Sequence, residues 1–244
     1  MDETLRHPKE ASYFIACAVL SGLIYAALIF SLFGIIYIVL GLFVAFLIEG
    51  SLLGALKGNA VKVGPKQLPT LYQLVQELSV EMEISPPDVY VQQNGGVLNA
   101  FASRFLMRNF VVFYSDVVDL AYAQGEAALA FIVAHELGHL KMRHLNKMPW
   151  IYPAMLMPFL GSAYSRACEY SADRCAHRYA GQGSPEGLLV LAGGKRLFRE
   201  MDTAEFIVQA EQAKGFFVWI TEKLATHPNL NKRVQALEGL RSAV

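Results

Sequence analysis

Charge is scarce in this chain. Asp, Glu, Lys and Arg make up 17% of its 244 residues against 54% hydrophobic residues, and the 21 basic and 21 acidic side chains cancel. With no positive balance, and no segment that clusters Lys or Arg among aromatics, the chain lacks the electrostatic footprint of a nucleic-acid-binding protein. Cysteine is scarce as well, only Cys17, Cys168 and Cys175 being present. They form no Cys-x-x-Cys pair. Cys168 and Cys175 fall on one predicted helix, about 10 Å apart along its axis, too far to bridge. A disulfide framework and a thiolate metal knuckle are thereby excluded, and the usage suits a reducing compartment with buried thiols. Internal repeats and low-complexity segments are absent, which removes solenoid and disordered architectures.

What is abundant is apolar sequence. Residues 11 to 56 carry a single charge, Glu49, over about twice the 20 residues that one membrane span needs. A break near residues 31 to 34 gives spans of residues 11 to 30 and 34 to 53, a transmembrane helical hairpin with a tight uncharged turn. The run is several times longer than a signal-peptide core, and the segment before it mixes acids with bases, so it reads as an anchor. Arg6 and Lys9 precede the hairpin and Lys57, Lys62 and Lys66 follow it. By the positive-inside rule both outer ends face the cytoplasm. The polar connector around Gly64-Pro65 then divides the chain into residues 1–57, an N-terminal segment with two spans, and residues 58–244, one soluble domain.

That domain reads as mainly α (α+β). Helical spacing covers residues 69 to 82, 125 to 145, 162 to 179, 184 to 199, 204 to 225 and 230 to 240. Three short segments rich in Val, Phe and Tyr, residues 89–92, 100–105 and 110–114, predict a small antiparallel sheet. Residues 148 to 160 interrupt the pattern with Pro149, Pro153 and Pro158 among large apolar side chains. They read as a loop, either buried or dipping into a membrane interface, where Trp150 and Tyr152 suit the headgroup level.

Chemistry enters with His135-Glu136-Leu137-Gly138-His139 in the middle of the predicted 125–145 helix. Histidines four apart project toward one point and can hold a zinc ion, while Glu136 lies alongside as a general base. Gly138 costs about 1 kcal/mol inside a helix relative to alanine, so something must pack closely on that face. A catalytic zinc needs a third protein ligand. Glu169 fits that need, because Glu169 and Asp173 share a face of the next long helix and like charges at that spacing repel unless a cation or donor lies between them. Asp173 would then hydrogen-bond a ligand histidine from outside. His7, His144 and His177 carry no such pattern and are expected not to be ligands.

The His-Glu-x-x-His motif followed by Glu169-x-x-x-Asp173 resembles peptidase family M48, the gluzincins that include the bacterial heat-shock protease HtpX and the CAAX prenyl protease. Asn99-Ala100-Phe101-Ala102 is similar to the family's Asn-Ala-Phe segment, residues 110–116 to the strand and turn after it, and Thr226-His227-Pro228 with Arg233 to its C-terminal element. The likeness covers residues 66 to 240 and is nearest the HtpX branch, although HtpX-like members carry further spans where this chain has its proline-rich loop.

The resemblance implies a zincin-like domain with one zinc per subunit, held by His135, His139 and Glu169. It implies Glu136 as catalytic base, His227 as an oxyanion donor, Arg233 as a positioning residue, and Asn99 with its strand as the edge that takes an extended peptide. It further implies a protease of membrane or misfolded proteins, with a peptide or protein substrate and a lipid bilayer as partners. A bacterial inner membrane with a cytoplasmic catalytic domain is the matching location. Two other functions remain open: a catalytically silent membrane scaffold of the same fold, whose signature would be a lost ligand or base, and a lipid-directed zinc hydrolase.

Overall fold

A computed structural model describes residues 3–31, 33–93, 100–105, 108–124, 126–181 and 184–241. Two long helices come first, α1 (Glu10–Phe30) and α2 (Gly34–Asn59). They are apolar all round, so neither has a solvent face, and Ile15, Leu23, Tyr37, Leu40 and Phe43 stand exposed along them. Both are long and apolar enough to cross a membrane. α1 is buried along one side only, at Glu10, Cys17 and Ser21.

The rest of the chain builds a sheet with helices over it: β1 (Val61–Lys62), α3 (Pro69–Glu81), β2 (Asp88–Gln92), β3 (Ala100–Phe105), β4 (Arg108–Tyr114), α4 (Ser115–Gln124), α5 (Glu126–Lys141), α6 (His144–Met155), α7 (Leu160–Ala180), α8 (Ser184–Leu197), α9 (Thr203–Gln212), α10 (Phe216–Leu224) and α11 (Leu230–Arg241). The strand order is β1-β2-β4-β3. The expected sheet is present and is mixed rather than purely antiparallel. β4 inserts between β2 and its own hairpin partner β3, which makes the β2–β4 pairing parallel, with Tyr90 opposite Val112. β3 is left at the end of the sheet.

α5 is buried almost all round because it lies in the middle of the core, where Leu129, Phe131, Val133 and Leu137 join Leu71, Phe113 and Leu188. Leu5 belongs to the same core. The N-terminal segment is tied down beside it: the His7 backbone N–H donates to Ser171 Oγ at 2.8 Å, and Arg174 donates to the Arg6 carbonyl at 3.1 Å.

Three elements differ from the sequence expectation. The helix expected over residues 125–145 stops at Lys141, because Arg143 takes a left-handed conformation (φ 57°) and starts α6 in a new direction. Residues 148–160 are then mostly helix rather than loop, since α6 runs through Pro149 and Pro153 to Met155. The helix expected over 204–225 is two helices, broken at Gly215, whose φ of 123° favours glycine.

Candidate active site

α5 and α7 cross closely because glycine occupies the crossing point. A Cβ on Gly138 would lie 3.2 Å from Cys175 Cβ and 3.4 Å from the Ala172 backbone. The close neighbour that Gly138 required is therefore α7, and the approach carries Glu169 over the two histidines.

The three side chains converge at their tips. His135 Nε2 and His139 Nε2 are 3.3 Å apart, and the Glu169 oxygens lie 3.4 Å from each of them. All three could hold a metal ion together. Two imidazole nitrogens and a carboxylate are the donor set of a catalytic zinc site with a position left for water. Glu169 Oε2 is buried and accepts no hydrogen bond, with the Arg233 guanidinium 3.4 Å away as its ion-pair partner. An acceptor of that kind suits a cation. The residues fit the metal that the motif implies.

Electrostatics agree. Burial would lower the pKa of His135, yet the Asp173 and Glu169 carboxylates overcome it and carry the imidazole up to about 10. Against the same burial, His135 and His139 hold Glu169 well below the usual carboxylate range. The pocket thus stabilises positive charge where the donors meet. Glu136, buried on the same wall, is pushed upward by loss of solvent.

Each histidine is braced from behind, through different residues. His135 Nδ1 lies 2.9 Å from Asp173 Oδ1. Asp173 is in turn gripped by Arg233 from α11, Nε to Oδ2 at 2.8 Å and Nη2 to Oδ1 at 2.6 Å, and the same guanidinium reaches Glu169. Asp173 lies behind His135, and Arg233, buried beside it, reaches the lining of the cleft from the same side.

His139 Nδ1 meets His144 Nδ1 at 2.9 Å, and His144 Nε2 faces the Glu10 carboxylate at 3.5 Å. This second brace was not anticipated. Spacing of five does not share a helix face, and only the turn at Arg143 folds His144 back onto His139. Glu10, His144 and Cys168 also come close enough to suggest a second metal cluster. Glu10, however, already has Arg6 at 2.5 Å, Lys147 at 3.1 Å and the Ser171 hydroxyl at 2.6 Å. Its charge is balanced by the protein itself.

The donors open into a cleft of about 530 Å³. One wall is Ala100, Phe101 and Ala102 of β3, and others come from Met148, Tyr164, Leu188 and Thr226-His227-Pro228. His227 is 66% exposed, with Nε2 3.5 Å from Glu169 Oε1. It stands at the rim, close to the donors. Asn99 lies outside the described residues.

Comparison with known proteins follows the same lines. The sequence model of peptidase family M48 matches residues 65–160 and 150–241. The plastoglobule-localized metallopeptidase 48, chloroplastic, of Arabidopsis thaliana is 35% identical over 88 residues, 36% of this chain. That stretch spans 24% of the relative's own length.

Proposed function

The chain belongs to peptidase family M48, and on that premise we propose that it is a membrane-anchored zinc endopeptidase that hydrolyses peptide bonds of membrane or misfolded proteins. The observation that carries the reading is the convergence of His135, His139 and Glu169 beside buried Glu136, in a cleft walled by an edge strand.

In this reading His135, His139 and Glu169 hold one zinc ion per subunit. Zinc bound there supplies Lewis acidity, which acidifies a water molecule and polarises the scissile carbonyl. Glu136 takes the proton of the attacking water and passes it to the leaving amine. Burial raises its pKa, which suits a carboxyl that must both accept and release a proton.

Among the described residues β3 ends the strand order and walls the cleft, where an extended peptide can line up along it through backbone hydrogen bonds, with little demand on sequence. His227 at the rim donates to the developing oxyanion, an interaction that tightens when substrate fills the cleft. Arg233 fixes Asp173 and Glu169 and so orients His135. α1 and α2 anchor residues 1–57 in the bilayer, and residues 58–244 form the catalytic domain on the cytoplasmic side. Basic residues at both outer ends of the hairpin favour that orientation. A bacterial inner membrane, as in the HtpX branch, is the location this arrangement suits.

The deciding experiment is casein hydrolysis by the detergent-purified chain, with and without zinc, beside Glu136→Gln. Zinc-dependent cleavage that disappears in the variant, while zinc binding is retained, supports the reading. Equal inactivity of both zinc-loaded proteins on casein and on a panel of membrane proteins would favour the silent scaffold.

A further inference from the structure

α6 and α7 form an antiparallel pair that climbs the side of α1. At its foot, Lys147 of α6 and Ser171 of α7 both bond Glu10. Higher up, Ile151, Ala154, Tyr164 and Cys168 enclose Cys17 in a small core of their own. Further along α1, the Ala154 N–H donates to Ser21 Oγ at 3.1 Å, and the Tyr25 hydroxyl donates to the carbonyl of Pro149, nearer the start of α6, at 2.9 Å. Ser21 lies eleven residues beyond Glu10 in α1, about 16 Å along the helix axis. That is about half of a hydrocarbon core of ~30 Å.

The tip of this pair is unsuited to water. No charged residue occurs between Lys147 and Arg166. Leu156 is 86% exposed, with Met157, Phe159 and Trp150 exposed around it. Its backbone, in contrast, is provided for. Pro153 has no N–H, so the carbonyl four residues earlier, that of Pro149, loses its helical donor. The Tyr25 hydroxyl supplies one. Satisfying such groups from a neighbouring helix is what a water-free medium demands. The end of α10 is tied to the same place, since Ser162 Oγ donates to the Leu224 carbonyl and Arg166 donates to those of Lys223 and Ala225. Phe216, Phe217 and Trp219, in the first half of α10, are exposed.

We propose that the α6–α7 hairpin is a re-entrant membrane element, inserted beside α1 into the leaflet that α1 enters first, with Leu156, Met157 and Phe159 among the acyl chains. The inference rests on the reading of α1 and α2 as membrane spans. Met148, Tyr164, Ser165 and Cys168 of the hairpin also line the metal cleft. The cleft therefore opens at the membrane surface, and its substrates are polypeptide segments emerging from the bilayer.

The test is depth-resolved fluorescence in phosphatidylcholine–phosphatidylglycerol vesicles. Leu156→Cys, Leu40→Cys in α2 and Val80→Cys on the exposed face of α3 are each labelled with an NBD maleimide in detergent and reconstituted, with the parent chain as the labelling blank. All three positions are exposed, so the substitutions leave the core untouched. The expected result is quenching at Leu156 by doxyl-labelled lipid as strong as at Leu40, with protection from aqueous iodide, and the reverse at Val80. Iodide quenching at Leu156 like that at Val80, with Leu40 still quenched by lipid, would overturn the re-entrant hairpin and leave the anchor standing. Iodide access at Leu40 as well would overturn the membrane reading, and the inference with it.

Discussion

Arg233 closes a two-pronged hydrogen bond on Asp173, at 2.6 and 2.8 Å, and both side chains are buried behind His135. Removing one partner leaves the other buried with a single remaining contact, Asp173 with His135 or Arg233 with Glu169, a loss approaching the roughly 3–5 kcal/mol of a broken buried ion pair. Arg233→Leu should therefore lower the melting temperature of the apo protein sharply, whereas Arg233→Lys, which keeps the charge without the fork, should recover part of it. Asp173→Asn should weaken zinc binding by about 10- to 100-fold, the usual effect of losing a residue that orients a ligand histidine. Competition with a fluorescent chelator measures this, and an unchanged affinity would remove Asp173 from the site.

His144 is expected to matter for the same reason on the other histidine. Its Nδ1 is 2.9 Å from that of His139, leaving His139 Nε2 to face the donors. His144→Leu should keep the fold but loosen the His139 ring, lowering zinc affinity by about tenfold or more. Lys147→Met, on the same helix and beside the same Glu10, is the comparison. Equal zinc affinities in the two variants would show that His144 only fills space.

The meeting of His135, His139 and Glu169 and the place of Asp173 behind His135 were legible because they rest on helical spacing: four residues from His135 to His139, and four from Glu169 to Asp173. Strand segments were legible because Val, Phe and Tyr cluster in short runs, although β4 starts at Arg108, two residues before the apolar run, where Arg108 and Asn109 pair with Phe105 and Arg104. What stayed hidden depends on contacts between elements. Nothing local says that β4 pairs with β2 rather than leaving β3 between them. The break at Arg143 is masked because apolar residues continue at helical spacing from Leu140 through Leu145. Both the α6 helix and the His139–His144 contact vanish behind that one left-handed residue. α4 could have been found, as Ser115-Asp116 ahead of Val117 and Val118 is a helix-start signal.

Cys175 offers a probe of the α5–α7 contact. It is fully buried against Gly138, and loss of solvent pushes its thiol up to about 12. At pH 8 the thiolate fraction is negligible and the sulfur is inaccessible. Iodoacetamide should leave Cys175 unmodified in the folded protein over hours and modify it fully after denaturation, as read by mass spectrometry of the peptides. Native-state alkylation at a rate near that of a free thiol would mean that the two helices separate readily, and the closeness of Glu169 to the histidines would then not be a fixed feature.

Gly138→Ala sets two effects against each other. Alanine gains about 1 kcal/mol of helix propensity at an interior position. The added methyl, however, would meet Cys175 Cβ at 3.2 Å and the Ala172 backbone at 3.4 Å. Neither neighbour is the free end of a long side chain, so relief requires α7 to move outward as a unit, at a cost typical of overpacking, about 1–3 kcal/mol. Because Glu169 sits on α7, that movement draws the carboxylate away from His135 and His139. The expected outcome is a modest loss of stability with a larger loss of zinc affinity, and Gly138→Val should be worse in both. A variant that is more stable than the parent and binds zinc as tightly would show that the helices have room to spare at their crossing.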